Sequence, residues 1–175
     1  MELWWEAHPF SLSAAPDGRR LRITVKALGD YTAALKRIPT GTPVIAEGPF
    51  GAFTADARRR PRVALIAGGV GITPIRALLE DMPAEPGDIA VVYRALRPDD
   101  VILRDELDEL ARRRGAELHY VVGARDADDL LGLVPDIAAR DVYVCGTPAM
   151  TEAVRGALRR AGVPRRHIFT ERFAF

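Results

Sequence analysis

Residues 63–81 read VALIAGGVGITPIRALLED: an unbroken apolar run, a glycine-rich turn and the opening of a helix. Val63–Ala67 lacks the polar alternation of a half-exposed strand, as expected for a parallel strand covered on both faces. Gly68, Gly69 and Gly71 admit backbone conformations closed to residues with a Cβ and let a phosphate approach the main chain. Thr73 is expected as N-cap and Pro74 as the first helical residue, where a missing N–H costs nothing. The free amides and positive dipole end of that helix favour an anion. Gly69-Val70-Gly71 supplies two glycines of the G-x-G-x-x-G dinucleotide pattern, but the third position is Pro74. On its own the turn fits a nucleotide site and a plain tight connection equally well.

The 175 residues suffice for one full domain and a smaller piece, and 48% of them are hydrophobic. A net charge of +1 is too balanced to imply nucleic acid or an anionic membrane surface as the main partner. The arginine clusters 58–60, 112–114 and 165–166 fall at expected loops or helix ends and read as solvated faces. No apolar run approaches the ~20 residues of a membrane helix, and nothing before Trp4 reads as a signal peptide. A cytoplasmic chain with no transmembrane segment of its own is expected. Cys145 is the single cysteine, and His8, His119 and His167 lack ligand spacing, so no metal site is expected.

Two textures divide the chain. From Glu2 to Thr54 the pattern is β. LWWEAHPFSLS precedes a turn at Ala15–Gly18. In RLRITVKAL, Leu21, Ile23 and Val25 then alternate with Arg22, Thr24 and Lys26. A short helix over Tyr31–Arg37 and a strand over Thr42–Ala46 follow. Beyond Arg62, strands expected at Val63–Ala67, Ile89–Tyr93, Glu117–Val122, Asp141–Val144 and His167–Thr170 alternate with helices. Those helices are expected at Pro74–Asp81, Arg104–Arg114, a broken stretch Ala127–Ala139 and Pro148–Ala161. The organisation expected is a partial antiparallel β-barrel over residues 1–54, a linker over 55–61 and a five-stranded parallel Rossmann-like α/β domain over 62–175. Right-handed crossovers put the loops after each strand on one edge, where ligands bind in such sheets.

Four further stretches carry chemistry. Cys145 ends a strand at that edge, and Gly146 lets the chain turn closely. A small buried residue is the plain reading of Cys145, and with no histidine nearby in sequence it is not expected as a covalent nucleophile. Arg94 and Arg97 stand where an NAD site carries an acid, and suit the 2′-phosphate of NADPH; Arg97 pairing with Asp99 or Asp100 is the alternative. His8-Pro9-Phe10-Ser11-Leu12-Ser13 places an aromatic beside a hydroxyl, suited to a flat ring and a ring nitrogen. Gly29-Asp30-Tyr31-Thr32 opens a short helix whose amides and hydroxyl suit a second phosphate group. The chain closes on Glu171-Arg172-Phe173-Ala174-Phe175.

In this order HPFS, GDYT, GGVGITP, VCGTPAM and ERFAF resemble the motifs of the ferredoxin–NADP⁺ reductase superfamily, from His8 to Phe175. They look most like the FAD- and nucleotide-binding dehydrogenase portion of ferric reductases and NADPH oxidases, the branch in which His-Pro-Phe is typical. The resemblance implies that Phe10 stacks on the isoalloxazine of FAD, with Ser11 near the ring atom that accepts hydride. His8, Pro9, Leu12, Ser13, Val25 and Lys26 would line the flavin, and Gly29, Asp30, Tyr31 and Thr32 its pyrophosphate. Gly68, Gly69, Gly71, Ile72, Thr73 and Pro74 would hold the NAD(P)H pyrophosphate, with Arg94 and Arg97 at the adenosine end. Cys145, Gly146, Thr147, Pro148 and Met150 would flank the nicotinamide, although Thr147 stands where the family usually has proline. Glu171 fits the family's acidic position, and Phe173 or Phe175 would cover the flavin. Ser11, Cys145 and Glu171 are the expected catalytic residues.

The function implied is a flavin-dependent NAD(P)H oxidoreductase fragment, with NADPH or NADH as donor and a haem, ferric iron or another acceptor. The family's flavin motif lies in the second half of its barrel, so HPFS at residue 8 implies missing strands. It also implies a longer parent protein, with haem-bearing membrane helices upstream and this portion at the inner membrane face. A soluble reductase serving an oxygenase or ferredoxin is the alternative. A non-catalytic module that has lost stable FAD binding is another.

Overall fold

The apolar runs after Arg62 become strands because helices cover both of their faces. The computed structural model describes residues 8–27 and 29–172. In chain order its elements are α1 (Asp30–Ala34), β1 (Val63–Gly68), α2 (Ile72–Asp81), β2 (Ile89–Ala95) and α3 (Arg104–Arg114). After them come β3 (Glu117–Val122), α4 (Ala127–Gly132), β4 (Asp141–Gly146), α5 (Pro148–Arg160) and β5 (Ile168–Arg172). The strands form one sheet in the order β3-β2-β1-β4-β5, every neighbouring pair parallel. β1 and β4 run on through their glycines, Gly68 and Gly146, beyond the apolar stretches that signalled them.

Successive residues of β1 serve opposite cores. Val63, Leu65 and Ala67 pack with Ile72, Ile75 and Leu79 of α2 and with Leu107 and Leu110 of α3. Ala64 and Ile66 pack with Leu130 and Leu131 of α4 and with Val154, Ala157 and Leu158 of α5. Each large apolar side chain so buried contributes roughly 1.5–3 kcal/mol. α3 keeps its charged residues outward and stops at Gly115, whose φ of 59° lies in the left-handed region. The amide of Ala116 there closes on the Ala111 carbonyl at 2.9 Å, satisfying one of the helix's last carbonyls.

At the amino-terminal edge of the sheet, one carboxylate collects the chain. Asp141 is fully buried. Its Oδ1 meets Nδ1 of His167 at 2.6 Å, and its Oδ2 accepts the amide of Arg60 at 2.8 Å and that of Arg59. Beside it, the Arg140 guanidinium donates to the carbonyls of Val63 and Asp88 at 3.0 and 2.9 Å. These bonds dock residues 59–62 under the sheet. From there Tyr143 reaches back, its hydroxyl donating to the Thr54 carbonyl at 3.1 Å, and Phe53 packs edge-on against its ring at 5.3 Å.

The amino-terminal part departs from expectation. Among the described residues its antiparallel pairing is a single bridge, Leu12 with Ile23, where alternation predicted a full strand. The expected strand Thr42–Ala46 has no ladder, and Val44 and Ile45 are 78% and 97% exposed. Alternation makes a strand only where a neighbour takes its backbone bonds and covers one face. The expected helix over Tyr31–Arg37 is present as α1 continued by a 3-10 turn, Leu35–Arg37. The β reading of residues 2–7, and Phe173 and Phe175, lie outside the described residues.

Replacing Asp141 leaves three donors without their shared acceptor, one of them on the buried His167. Asp141→Ala is expected to lower unfolding free energy by about 3–5 kcal/mol, measured by urea titration.

Candidate functional site

The strand order reverses direction at β1, so the carboxyl ends of β1 and β4 open a crevice between their following loops. The two loops come close enough to exclude side chains. A Cβ on Gly71 would stand 2.3 Å from the Cys145 carbonyl oxygen, a backbone atom with no room to yield. Gly69 adopts φ of 54°, which turns the chain out of β1. α2 then starts at Ile72 with Gly71 as its N-cap, so Thr73 and Pro74 are the second and third helical residues rather than the cap and the first. Pro74 is tolerated because the amide of that position still has no intrahelical partner. Thr73 donates its hydroxyl to the Val70 carbonyl at 3.0 Å and ties the turn.

On the facing side, Thr147 caps α5: its hydroxyl accepts the Met150 amide at 3.4 Å, and Pro148 is the first helical residue. The departure from proline at position 147 thus supplies a helix cap. Buried Met150 lies against Gly68 and Gly146. Both sides of the crevice therefore carry a glycine followed by the open end of a helix.

Arg94 and Arg97 separate. Arg94 sits at the end of β2, beside Gly68 in register, and its Nε is buried without a partner. Arg97 is 78% exposed and forked onto Asp100, with two bonds of 3.2 Å. Hydrogen bonding from Arg97 holds the Asp100 carboxyl below its ordinary range. The Asp100 pairing named as the alternative for Arg97 is thus present.

Ser11, Cys145 and Glu171 come together. Cys145 and Glu171 are register partners in β4 and β5. The Ser11 hydroxyl donates to the Glu171 carboxylate, across 160 residues of sequence. Burial, and then the Glu171 charge, push the Cys145 thiol far up, so it is a neutral group. Beside this cluster Phe10 is 40% exposed. His8 stacks on Tyr31, ring centroids 3.6 Å apart, which joins HPFS to GDYT. In GDYT the Thr32 hydroxyl accepts the Gly29 amide at 3.1 Å. Pro9, Lys26, Gly29 and Asp30 are exposed, Leu12 and Val25 half-buried and Ser13 buried.

Sequence reasoning missed the contacts that hold this segment. Arg76, only 8% exposed on α2, donates to the Ser13 carbonyl at 3.2 Å, to Glu80 at 2.6 Å and to Glu106 at 2.9 Å. Glu80 also accepts the Ala15 amide at 2.8 Å. Arg22 grips the same Ser13 carbonyl at 2.6 Å and meets Glu106 at 2.9 Å. Burial raises the Glu80 carboxyl, but bonds from Arg76 and Ala15 outweigh it and leave the group lowered. The available signal was position. Arg76 falls four residues after Ile72 and three before Leu79, inside the apolar stripe of α2.

Two outcomes follow from this geometry. Gly71→Ala must displace the Cys145 carbonyl, and a loss of about 1–3 kcal/mol by urea titration is expected. Cys145 should resist iodoacetamide at pH 9 in the native chain and react once unfolded. A raised thiol keeps its proton in the folded state, so stability should fall as pH climbs above its ordinary value of 9.0, read from pH-dependent urea midpoints.

Comparison with known proteins converges on one family. The family described as oxidoreductase NAD-binding domain matches residues 65–156. Ferredoxin–NADP reductase B of Sorangium cellulosum is 29% identical, over 94% of this chain and 77% of that protein. The 2-halobenzoate 1,2-dioxygenase electron transfer component of Burkholderia cepacia is 30% identical over 97% of the chain, which spans 55% of that relative. Among solved structures, the flavohem-like FAD/NAD binding domain of nitric oxide dioxygenase from Vibrio cholerae O1 biovar El Tor superposes with a TM-score of 0.74. It is 24% identical and the match covers 96% of this chain and 77% of that one, which establishes the fold. The chain belongs to the oxidoreductase NAD-binding domain family, within the ferredoxin–NADP reductase superfamily of FAD- and NAD(P)-dependent oxidoreductases.

Proposed function

We propose that the chain works as a flavin-dependent NAD(P)H oxidoreductase. Residues 1–54 provide flavin contacts, 55–61 a linker and 62–175 the nucleotide site. One observation carries the reading: Ser11 from HPFS bonds Glu171 from the terminal motif, beside Cys145 of the nicotinamide motif. The residues fit the ligands. Gly71 leaves bare main chain at the turn, and Arg94 Nε is a buried donor without a partner, the kind of orphan that a ligand oxygen satisfies. Arg94 is thus the residue that favours NADPH over NADH. Bound FAD supplies the exchange of hydride from NAD(P)H for single electrons passed to a haem, ferric iron or another acceptor.

The chain's own residues position and insulate. Phe10 offers an aromatic face, and His8 and Tyr31 brace each other beside it. Glu171 fixes the rotor of Ser11, with the shared proton on Ser11 Oγ. The neutral Cys145 thiol forms an apolar floor that excludes water. Phe173 or Phe175 covers the flavin in this reading.

The ferric-reductase branch rests on His8-Pro9-Phe10, and it would set the chain beside a haem-bearing membrane part. No helix among the described residues is long and apolar enough to cross a membrane. A second reading, a reductase component serving an oxygenase or ferredoxin, is favoured by the names of the two relatives above. A third, a module without stable FAD, is favoured by the single bridge Leu12–Ile23 and by Phe50, 84% exposed.

The test is to load the purified chain with FAD, remove free flavin and follow absorbance on adding NADPH or NADH. Retained flavin should bleach, faster with NADPH, and Ser11→Ala or Glu171→Gln should slow bleaching roughly 100-fold. Retained flavin that neither nucleotide bleaches overturns the reading, and no retention favours the module.

A further inference from the structure

We infer that Arg76, with Glu80, is a positioning residue for hydride transfer: the pair holds the segment bearing Ser11 onto the same helix that carries the nucleotide turn. The inference rests on the flavin reading above.

Among the described residues, residues 11–15 are fixed mainly by the hydrogen bonds at Ser11, Ser13 and Ala15. Residues 8–27 contain one antiparallel bridge and no strand, and Phe10, Leu21 and Ile23 are exposed. Among the described residues, its hydrogen-bonded anchors on the parallel sheet and its helices, apart from the Ser11–Glu171 bond, are charged. Arg76 and Arg22 converge on the Ser13 carbonyl, and Glu80 takes the Ala15 amide. Glu106 completes the set by accepting from both arginines. Two guanidinium and two carboxylate groups balance, so the cluster is internally satisfied and leaves no charge for an anion.

Place explains purpose. Ser13 lies two residues from Ser11, whose hydroxyl meets Glu171. Arg76 lies three residues from Thr73, which ties the glycine turn through the Val70 carbonyl. A single ten-residue helix therefore carries the nucleotide turn at its start and the Ser13 grip one turn later. Hydride transfer requires reacting atoms about 3–3.5 Å apart, and a 1 Å error costs about 100-fold. Arg76 can hold Ser13, Glu80 and Glu106 together because its donors form a rigid planar fork, a geometry lysine lacks. A tether serving stability alone would not need the shared helix.

The test uses the full chain with FAD, as Arg76→Met, Arg76→Lys and Arg22→Met. Amide exchange, measured without flavin or nucleotide, should rise in residues 11–15 of Arg76→Met and stay unchanged in β1 and β4. In rapid mixing at saturating NADPH, Arg76→Met should bleach flavin about 10- to 100-fold more slowly, with apparent nucleotide affinity within about twofold. The long-wavelength charge-transfer absorbance of stacked nicotinamide and flavin should weaken in parallel. Arg76→Lys, which keeps the charge and loses the fork, should recover exchange protection only in part and remain slow. Should Arg76→Met fail to fold, Arg22→Met removes the other grip from a half-exposed position and should show a smaller slowing of the same kind.

An unchanged rate and charge-transfer band despite raised exchange overturns the inference, as does unchanged exchange. A slowed rate matched by an equal loss of nucleotide affinity does so too. If the unsubstituted chain keeps FAD and neither nucleotide bleaches it, the flavin reading has failed instead; exchange alone then decides whether Arg76 holds the segment.

Discussion

The approach of Gly71 to the carbonyl of Cys145 governs everything above the sheet. Parallel strands β1 and β4 lie side by side through the core, and the loops leaving them must part without side chains between. Glycine at 71 allows contact of main chain with main chain, and this sets where α2 begins. Once α2 is placed, so is Arg76, and through it the whole segment with Ser13 and Ser11. Once β4 is placed, β5 follows in register and brings Glu171 alongside Cys145. The amino-terminal segment is a dependent of this scaffold rather than a partner of equal standing.

The parallel sheet was legible because its signals are local. Val63–Ala67, Ile89–Tyr93 and Val142–Val144 are continuous apolar runs, each followed by a helical repeat, and nothing beyond a helix on each face is needed to make them strands. The amino-terminal strands were misjudged for the converse reason. The alternation of Leu21, Ile23 and Val25 states which face needs cover, but it does not supply the cover. Ile23 remains 45% exposed with one bridge to its name.

Charge was the other blind spot. Arg76 and Glu80 stand four apart on a helix, the usual mark of a solvated face, and only the apolar neighbours of Arg76 hint that it turns inward. Asp141 and His167 pair across the base of the sheet although twenty-six residues separate them. Neither pair matches any motif. Of the motif residues, Ser11 of HPFS and the terminal Glu171 meet beside Cys145. The turn chemistry was read two residues late. Gly71 rather than Thr73 caps α2, because the glycine turn is itself helical and the helix begins inside it.

The bond between Ser11 and Glu171 closes nearly the largest loop the described chain contains, 160 residues. Contacts of that span carry the highest entropic cost of closure and form late, after local helices and neighbouring strands are in place. The crevice therefore cannot be assembled on a half-folded sheet. A chain emerging in sequence order acquires the glycine turn long before it acquires Glu171. Partly folded forms would present the glycine turn with no juxtaposed hydroxyl and carboxylate.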